Sequence, residues 1–106
     1  MATGQSPGAS DAGLRVEIRD GVLALAGPLV FDTVPAAWAR SLALLPATGN
    51  VVIDLGGVAH ADSAALALVV EWRRLAHTRG IALELRGLPA QLRALAAATG
   101  LEDIVR

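Results

Sequence analysis

The chain contains no cysteine and no lysine, and all nine of its basic residues are arginine. Without cysteine there is no disulfide, no thiol nucleophile and no cysteine-ligated zinc or iron–sulfur site. Without lysine there is no GxxxxGK[ST] phosphate-binding loop and no Schiff-base chemistry on lysine. The two histidines, His60 and His77, lack the companion spacing of a metal site. We therefore expect neither a cofactor nor a metal.

Aromatic residues and net charge are also scarce. Aromatics make up 3% of the chain and apolar residues 54%, so alanine, leucine and valine must build the core and leave little room for a ligand cavity. A net charge of −1 gives no electrostatic basis for binding nucleic acid or an anionic membrane. No apolar run approaches the ~18 residues that span a bilayer, and the first residues do not resemble a signal peptide. We expect a cytoplasmic protein without direct membrane insertion.

The length of 106 residues predicts one domain, since a second would be too short to bury its own core. Residues 1–12 are small and polar and are expected to form a flexible N-terminal tail. Residues 13–106 are expected to form the domain.

Four strands are predicted. Apolar and polar residues alternate in residues 14–19, and Asp20-Gly21 is a strong hairpin signal, so 22–26 is the returning strand, ended by Gly27-Pro28. The continuously apolar run 51–55 predicts a central strand covered on both faces and closed by Gly56-Gly57. Residues 81–85 give the last strand.

Three helices are predicted between and after these strands. The first follows a cap at Asp32 or Thr33, the second runs from about Ser63 to Thr78 and stops at Arg79-Gly80, and the third covers 88–98. The apolar face expected for the first helix contains Phe31, Val34, Trp38, Leu42 and Leu45. The order β-β-α-β-α-β-α predicts an α/β fold, a mostly parallel four-stranded sheet with an antiparallel edge hairpin and helices packed against it.

The second helix has two apolar stripes at helical spacing. The broader one, expected to pack on the sheet, contains Ala65, Leu68, Val69, Trp72, Leu75 and Ala76. The other runs along the far side through Ser63, Leu66, Ala67, Val70, Arg74 and His77. A second apolar stripe on an outer helix is expected to be shielded from water by another surface. A partner protein is the simplest cover, and contact with a neighbouring helix is the rival explanation.

Asp62-Ser63 opens this helix and allows two interpretations. Asp62 is placed to cap the first N–H groups, and the pair could be no more than a good cap. Alternatively Ser63, near the positive end of the helix dipole, is a phosphorylation or switch site. A hydrolase triad of Ser63, His60 and Asp54 is disfavoured because the surrounding ADSAA is not a GxSxG nucleophile elbow. We expect no catalytic residues.

The run VIDLGGV followed by ADSAALALVVEW resembles the signature of STAS domains, in which an aspartate ends the central strand and an Asp-Ser pair opens the next helix. In the branch of anti-sigma factor antagonists, the serine at the position of Ser63 is phosphorylated by a partner kinase, the anti-sigma factor. In the MlaB-like branch, the domain is a cytosolic subunit of an ABC transporter that moves phospholipids between the Gram-negative membranes.

The MlaB-like branch is favoured by the run Asp62–Leu68 followed closely by Glu71-Trp72, and by Ala65 where antagonists commonly have glycine. This resemblance implies a non-catalytic subunit, peripheral to the inner membrane, that binds and stabilises or activates the transporter's ATPase subunit. Outer-membrane lipid asymmetry would depend on it. An anti-sigma factor antagonist is the alternative. The partner-binding residues expected on the second stripe are Ser63, Leu66, Ala67, Val70 and Arg74.

Overall fold

The computed structural model describes residues 12–106; the predicted tail, apart from Ala12, lies outside the described residues. The strands are β1 (Arg15–Arg19), β2 (Val22–Leu29), β3 (Asn50–Ala61) and β4 (Ala82–Arg86). The helices are α1 (Val34–Leu44), α2 (Ser63–Arg79) and α3 (Ala90–Thr99), and a 3₁₀ turn (Glu102–Val105) follows α3.

The four strands form one sheet in the order β1-β2-β3-β4. The first two are antiparallel, and the remaining neighbours are parallel. The predicted α/β fold with a mixed sheet and an antiparallel edge hairpin is confirmed. At the hairpin turn Asp20 and Gly21 have φ of 52° and 79°. A two-residue hairpin whose twist matches its strands needs positive φ at both positions, and Asp-Gly supplies them at low cost.

Strands β2 and β3 are longer than predicted, so the expectation that Gly56-Gly57 closes the central strand is wrong. β3 continues to Ala61 and pairs with β2 as far as Leu29. A Cβ built on Gly57 would lie 2.9 Å from the Cβ of Ala26 in β2. The glycine therefore permits close contact between two paired strands, a role that only the strand neighbour reveals.

The helices pack on one face of the sheet, which corrects the prediction that β3 is covered on both faces. Buried residues alternate along β3, with Val51, Ile53 and Leu55 inward and Val52 and Asp54 only half-buried between them. This period of two is the pattern of a strand with one face in the core. The domain therefore has two layers, one sheet and one set of helices.

Helix α2 is the main helical contribution to the core. The buried residues of its broad stripe are Ala65, Leu68, Val69, Trp72 and Ala76, as the spacing predicts. The helix begins at Ser63 and is capped at its other end by Gly80. No helix among residues 12–106 is both long enough and apolar enough to cross a bilayer.

Candidate protein-binding surface

The Asp62 carboxylate joins the start of α2 to the loop between β2 and α1. Its Oδ1 accepts a hydrogen bond from the backbone N–H of Ala64 at 2.9 Å, and its Oδ2 accepts one from the N–H of Phe31 at 3.0 Å. The first bond makes Asp62 the N-cap of α2, where a negative charge also meets the positive end of the helix dipole. The second bond fixes the backbone of Phe31 beside Ser63.

Thr33 holds the same loop from inside. Its side chain is fully buried, and its Oγ1 accepts a hydrogen bond from Val30 N–H at 2.9 Å and donates one to the carbonyl of Pro28 at 2.8 Å. Phe31 therefore lies between two anchored positions. A backbone already held in this way loses little conformational entropy when a partner binds.

The Phe31 side chain is 77% exposed, more than any other large hydrophobic residue in residues 12–106. The prediction that it lies on the apolar face of α1 is wrong. Helix α1 begins at Val34, so Phe31 lies in the preceding loop, where helical spacing does not apply. The sequence contains a signal for the true position of Phe31. A helix cap at Asp32 or Thr33 places Phe31 before the first helical residue, and Thr33 is the N-cap in the structure.

A shallow groove of about 300 Å³ separates α1 from α2 next to this loop. Its walls are Val34, Pro35 and Trp38 from α1 and Ala67, Leu68 and Glu71 from α2. Ser63, Ala67 and Glu71 follow one another at intervals of four residues along α2, so they form one line on its α1 side. We call Phe31, Trp38, Ser63, Ala67 and Glu71 the α1–α2 surface.

The predicted second stripe of α2 divides in the structure. Ser63, Ala67 and Arg74 are exposed and Val70 is half-buried, whereas Leu66 is only 6% exposed. The expectation that Leu66 faces away from the domain is wrong, and the neighbouring-helix explanation applies to it. Arg73, seven residues later on the same flank, bonds Ile104 beyond α3, so this flank faces α3 and the 3₁₀ turn.

The structure keeps the residues of the disfavoured triad apart. Asp54 lies seven residues before the end of β3, which at the rise of an extended strand is about 23 Å from Ala61. Its Oδ1 accepts a hydrogen bond from the N–H of Gly56 at 2.8 Å. His60 and His77 are both exposed, and residues 12–106 contain no cluster of His, Asp and Glu that suits a metal ion.

Comparisons with known proteins agree with this architecture. The family model described as "Mlab, STAS domain" matches residues 12–106. A solved structure described as "Crystal Structure Analysis of Mglu" is similar to 73% of this chain, with 28% sequence identity and a TM-score of 0.57. The chain spans only 20% of the length of that protein. A search of curated proteins gives no significant match.

Proposed function

The chain belongs to the MlaB-type STAS domain family, and from this membership we propose that it is a non-catalytic cytoplasmic subunit that binds the ATPase of an ABC transporter. In this proposal the complex moves phospholipids between the two membranes of a Gram-negative cell and so maintains outer-membrane lipid asymmetry. The family match over residues 12–106 supports the class of partner. The exposed residues of the α1–α2 surface support the proposed place of contact.

The observation that carries the proposal is the exposure of Phe31 on a fixed backbone. An aromatic ring that is left in water forgoes the free energy of burial, which is large for a side chain of this size. Anchored aromatic residues that enter a partner's pocket are typical centres of binding energy at interfaces. Phe31 stands beside Ser63 and the groove, so the α1–α2 surface offers a partner one anchor and one cleft.

The mechanism is a shift of a conformational equilibrium. If the domain binds the assembled ATPase more tightly than the free subunit, it favours assembly by the difference between the two binding free energies. Phe31, Ser63 and Ala67 would make the central contacts, and Val70 and Arg74 would extend them along α2. Leu66, buried beneath, would support the backbone of α2 without touching the partner.

The test measures binding of the purified candidate ATPase subunit from the same organism to Phe31→Ala by titration calorimetry. Loss of a central anchor costs about 2 kcal/mol or more, roughly a thirtyfold weaker affinity. Ile18→Ala is the matched control, because Ile18 is another exposed apolar residue but lies on the edge strand β1. Equal affinities of the two variants would contradict the proposed contact at Phe31. If the unaltered protein does not bind the ATPase subunit, the proposed partner is wrong.

The second candidate function is that of an anti-sigma factor antagonist, and the exposure of Ser63 at the start of α2 favours it. A phosphate at this place would meet the positive end of the helix dipole. The test is incubation with ATP and the candidate anti-sigma kinase, followed by intact-mass measurement. Phosphorylation that is lost in Ser63→Ala supports the antagonist, and an unmodified protein that binds the ATPase supports the transporter subunit.

A further inference from the structure

Strand β4 is an edge strand of the sheet, and its residues Leu83 and Leu85 turn their backbone groups outward. The N–H of Ala82 donates to the carbonyl of Gly49 at 2.8 Å, so Ala82 faces β3. In a parallel pair alternate residues bond to the neighbouring strand. Leu83 and Leu85 alternate with Ala82, so their backbone N–H and C=O groups point to the open side of the sheet. Such an edge is a template on which another strand can pair.

The guanidinium of Arg73 occupies this open side. Its Nη1 donates to the carbonyl of Leu83 at 3.1 Å, its Nε donates to the carbonyl of Ile104 at 2.9 Å, and its Nη2 donates to the main-chain oxygen of Arg106. Partial burial lowers the pKa of Arg73 from its usual value. The planar fork of donors thus links α2, the edge of β4 and the segment after α3.

One strand that can pair with this edge is β4 of a second copy. In an antiparallel pair centred on Glu84, Leu83 and Leu85 of each copy exchange four backbone hydrogen bonds, and the Leu83 carbonyl takes part in both copies. A pair centred on Leu85 makes only two, because Gly87 leaves the extended conformation with φ of 68°. The register centred on Glu84 also places Glu84 opposite Glu84 of the second copy, where the two negative charges repel each other.

We propose that Arg73 closes the β4 edge against strand pairing with a second copy of this chain. The edge carries a self-complementary register, and Arg73 already bonds one of the two carbonyls that each copy contributes to it. The charge of Glu84 opposes the same register. This closure lies at the far edge from β1 and does not depend on which partner the α1–α2 surface binds.

A single introduced cysteine tests the register directly, since the chain has no cysteine of its own. Glu84→Cys removes the opposing charge and places a thiol at the centre of the pair, where the two Cα atoms would be about 4.5 Å apart, within disulfide reach. It is combined with Arg73→Met, which keeps an apolar stem but no donor. The matched control combines it with Arg74→Met on the exposed side of α2. Circular dichroism checks folding, and oxidation is followed on a non-reducing gel.

We expect rapid crosslinking into a dimer for Glu84→Cys combined with Arg73→Met. Crosslinking should be at least about tenfold slower for Glu84→Cys combined with Arg74→Met and for Glu84→Cys alone. Arg86→Cys in the Arg73→Met background should crosslink slowly, because its thiols are not opposite each other in this register. Equal rates with Arg73 present and absent, in folded proteins, contradict the proposal. Rapid crosslinking of Glu84→Cys with Arg73 intact also contradicts it, even if substitution of Arg73 prevents folding.

Discussion

Replacing Asp62 by alanine should destabilise the domain by removing two hydrogen bonds at once. Loss of a helix N-cap costs roughly 0.5–2 kcal/mol. Loss of the bond to Phe31 N–H adds about 0.5–1 kcal/mol, since that N–H lies at the surface and water can replace the carboxylate. The sum, about 2 kcal/mol, corresponds to a fall of roughly 8–16 °C in Tm for a domain of this size.

Urea denaturation followed by far-ultraviolet circular dichroism measures this change. Asp32→Ala is the control, because Asp32 is an exposed acid of the same loop and its removal changes the net charge equally. Asp62→Ser should retain part of the stability, since a serine hydroxyl still caps α2 but is too short to reach both N–H groups. If Asp62→Ala and Asp32→Ala unfold at the same urea concentration, the carboxylate does not hold the loop and the helix as described.

Three further predictions concern the layers of the domain. Ala67→Glu should leave the melting temperature nearly unchanged and abolish ATPase binding, whereas Leu68→Glu should unfold the domain by burying a charge; melting curves and pull-down distinguish them. Thr33→Val should cost about 1–2 kcal/mol in urea denaturation because two partly buried backbone groups lose their partner, and Thr33→Ser should recover most of it. In Trp38→Phe the remaining Trp72 is 1% exposed, and its Nε1 has no hydrogen-bond partner among residues 12–106, so its fluorescence should be blue-shifted and resist acrylamide quenching.

Periodicity and turn residues predict most of the fold. The hairpin at Asp20-Gly21, the start of α2 at Ser63 and its end at Gly80 depend on local backbone preferences, which the sequence states directly. The buried stripe of α2 follows from the helical repeat alone. These features can be predicted without knowing which residues distant in sequence lie next to them.

The predictions that were wrong depend on neighbours that are distant in sequence. Local sequence predicts a strand end at Gly57, because the contact that needs a glycine is made with Ala26, in another strand. The helical repeat assigns Leu66 to an open face because the cover of that flank comes from α3 and the 3₁₀ turn, which lie later in the chain. The helical spacing assigns Phe31 to the apolar face of α1, although the helix begins three residues later. In each case tertiary contacts decide between two locally acceptable structures.

The extension of β3 past β4 divides the sheet into one half in which β3 is paired on both sides and one tip in which it is paired only with β2. β4 pairs with β3 only as far as Asp54, while the continuation to Ala61 pairs with β2, and the N–H of Ala61 is held by the side chain of Gln91 at 3.1 Å. The loop of Phe31 and the start of α2 lie at the tip of this extension. Substitutions at its exposed positions, such as Phe31 and Ser63, should leave the strand pairing of the other half unchanged. The contact residues at the tip can therefore differ without a change in the paired strands that hold the rest of the sheet together.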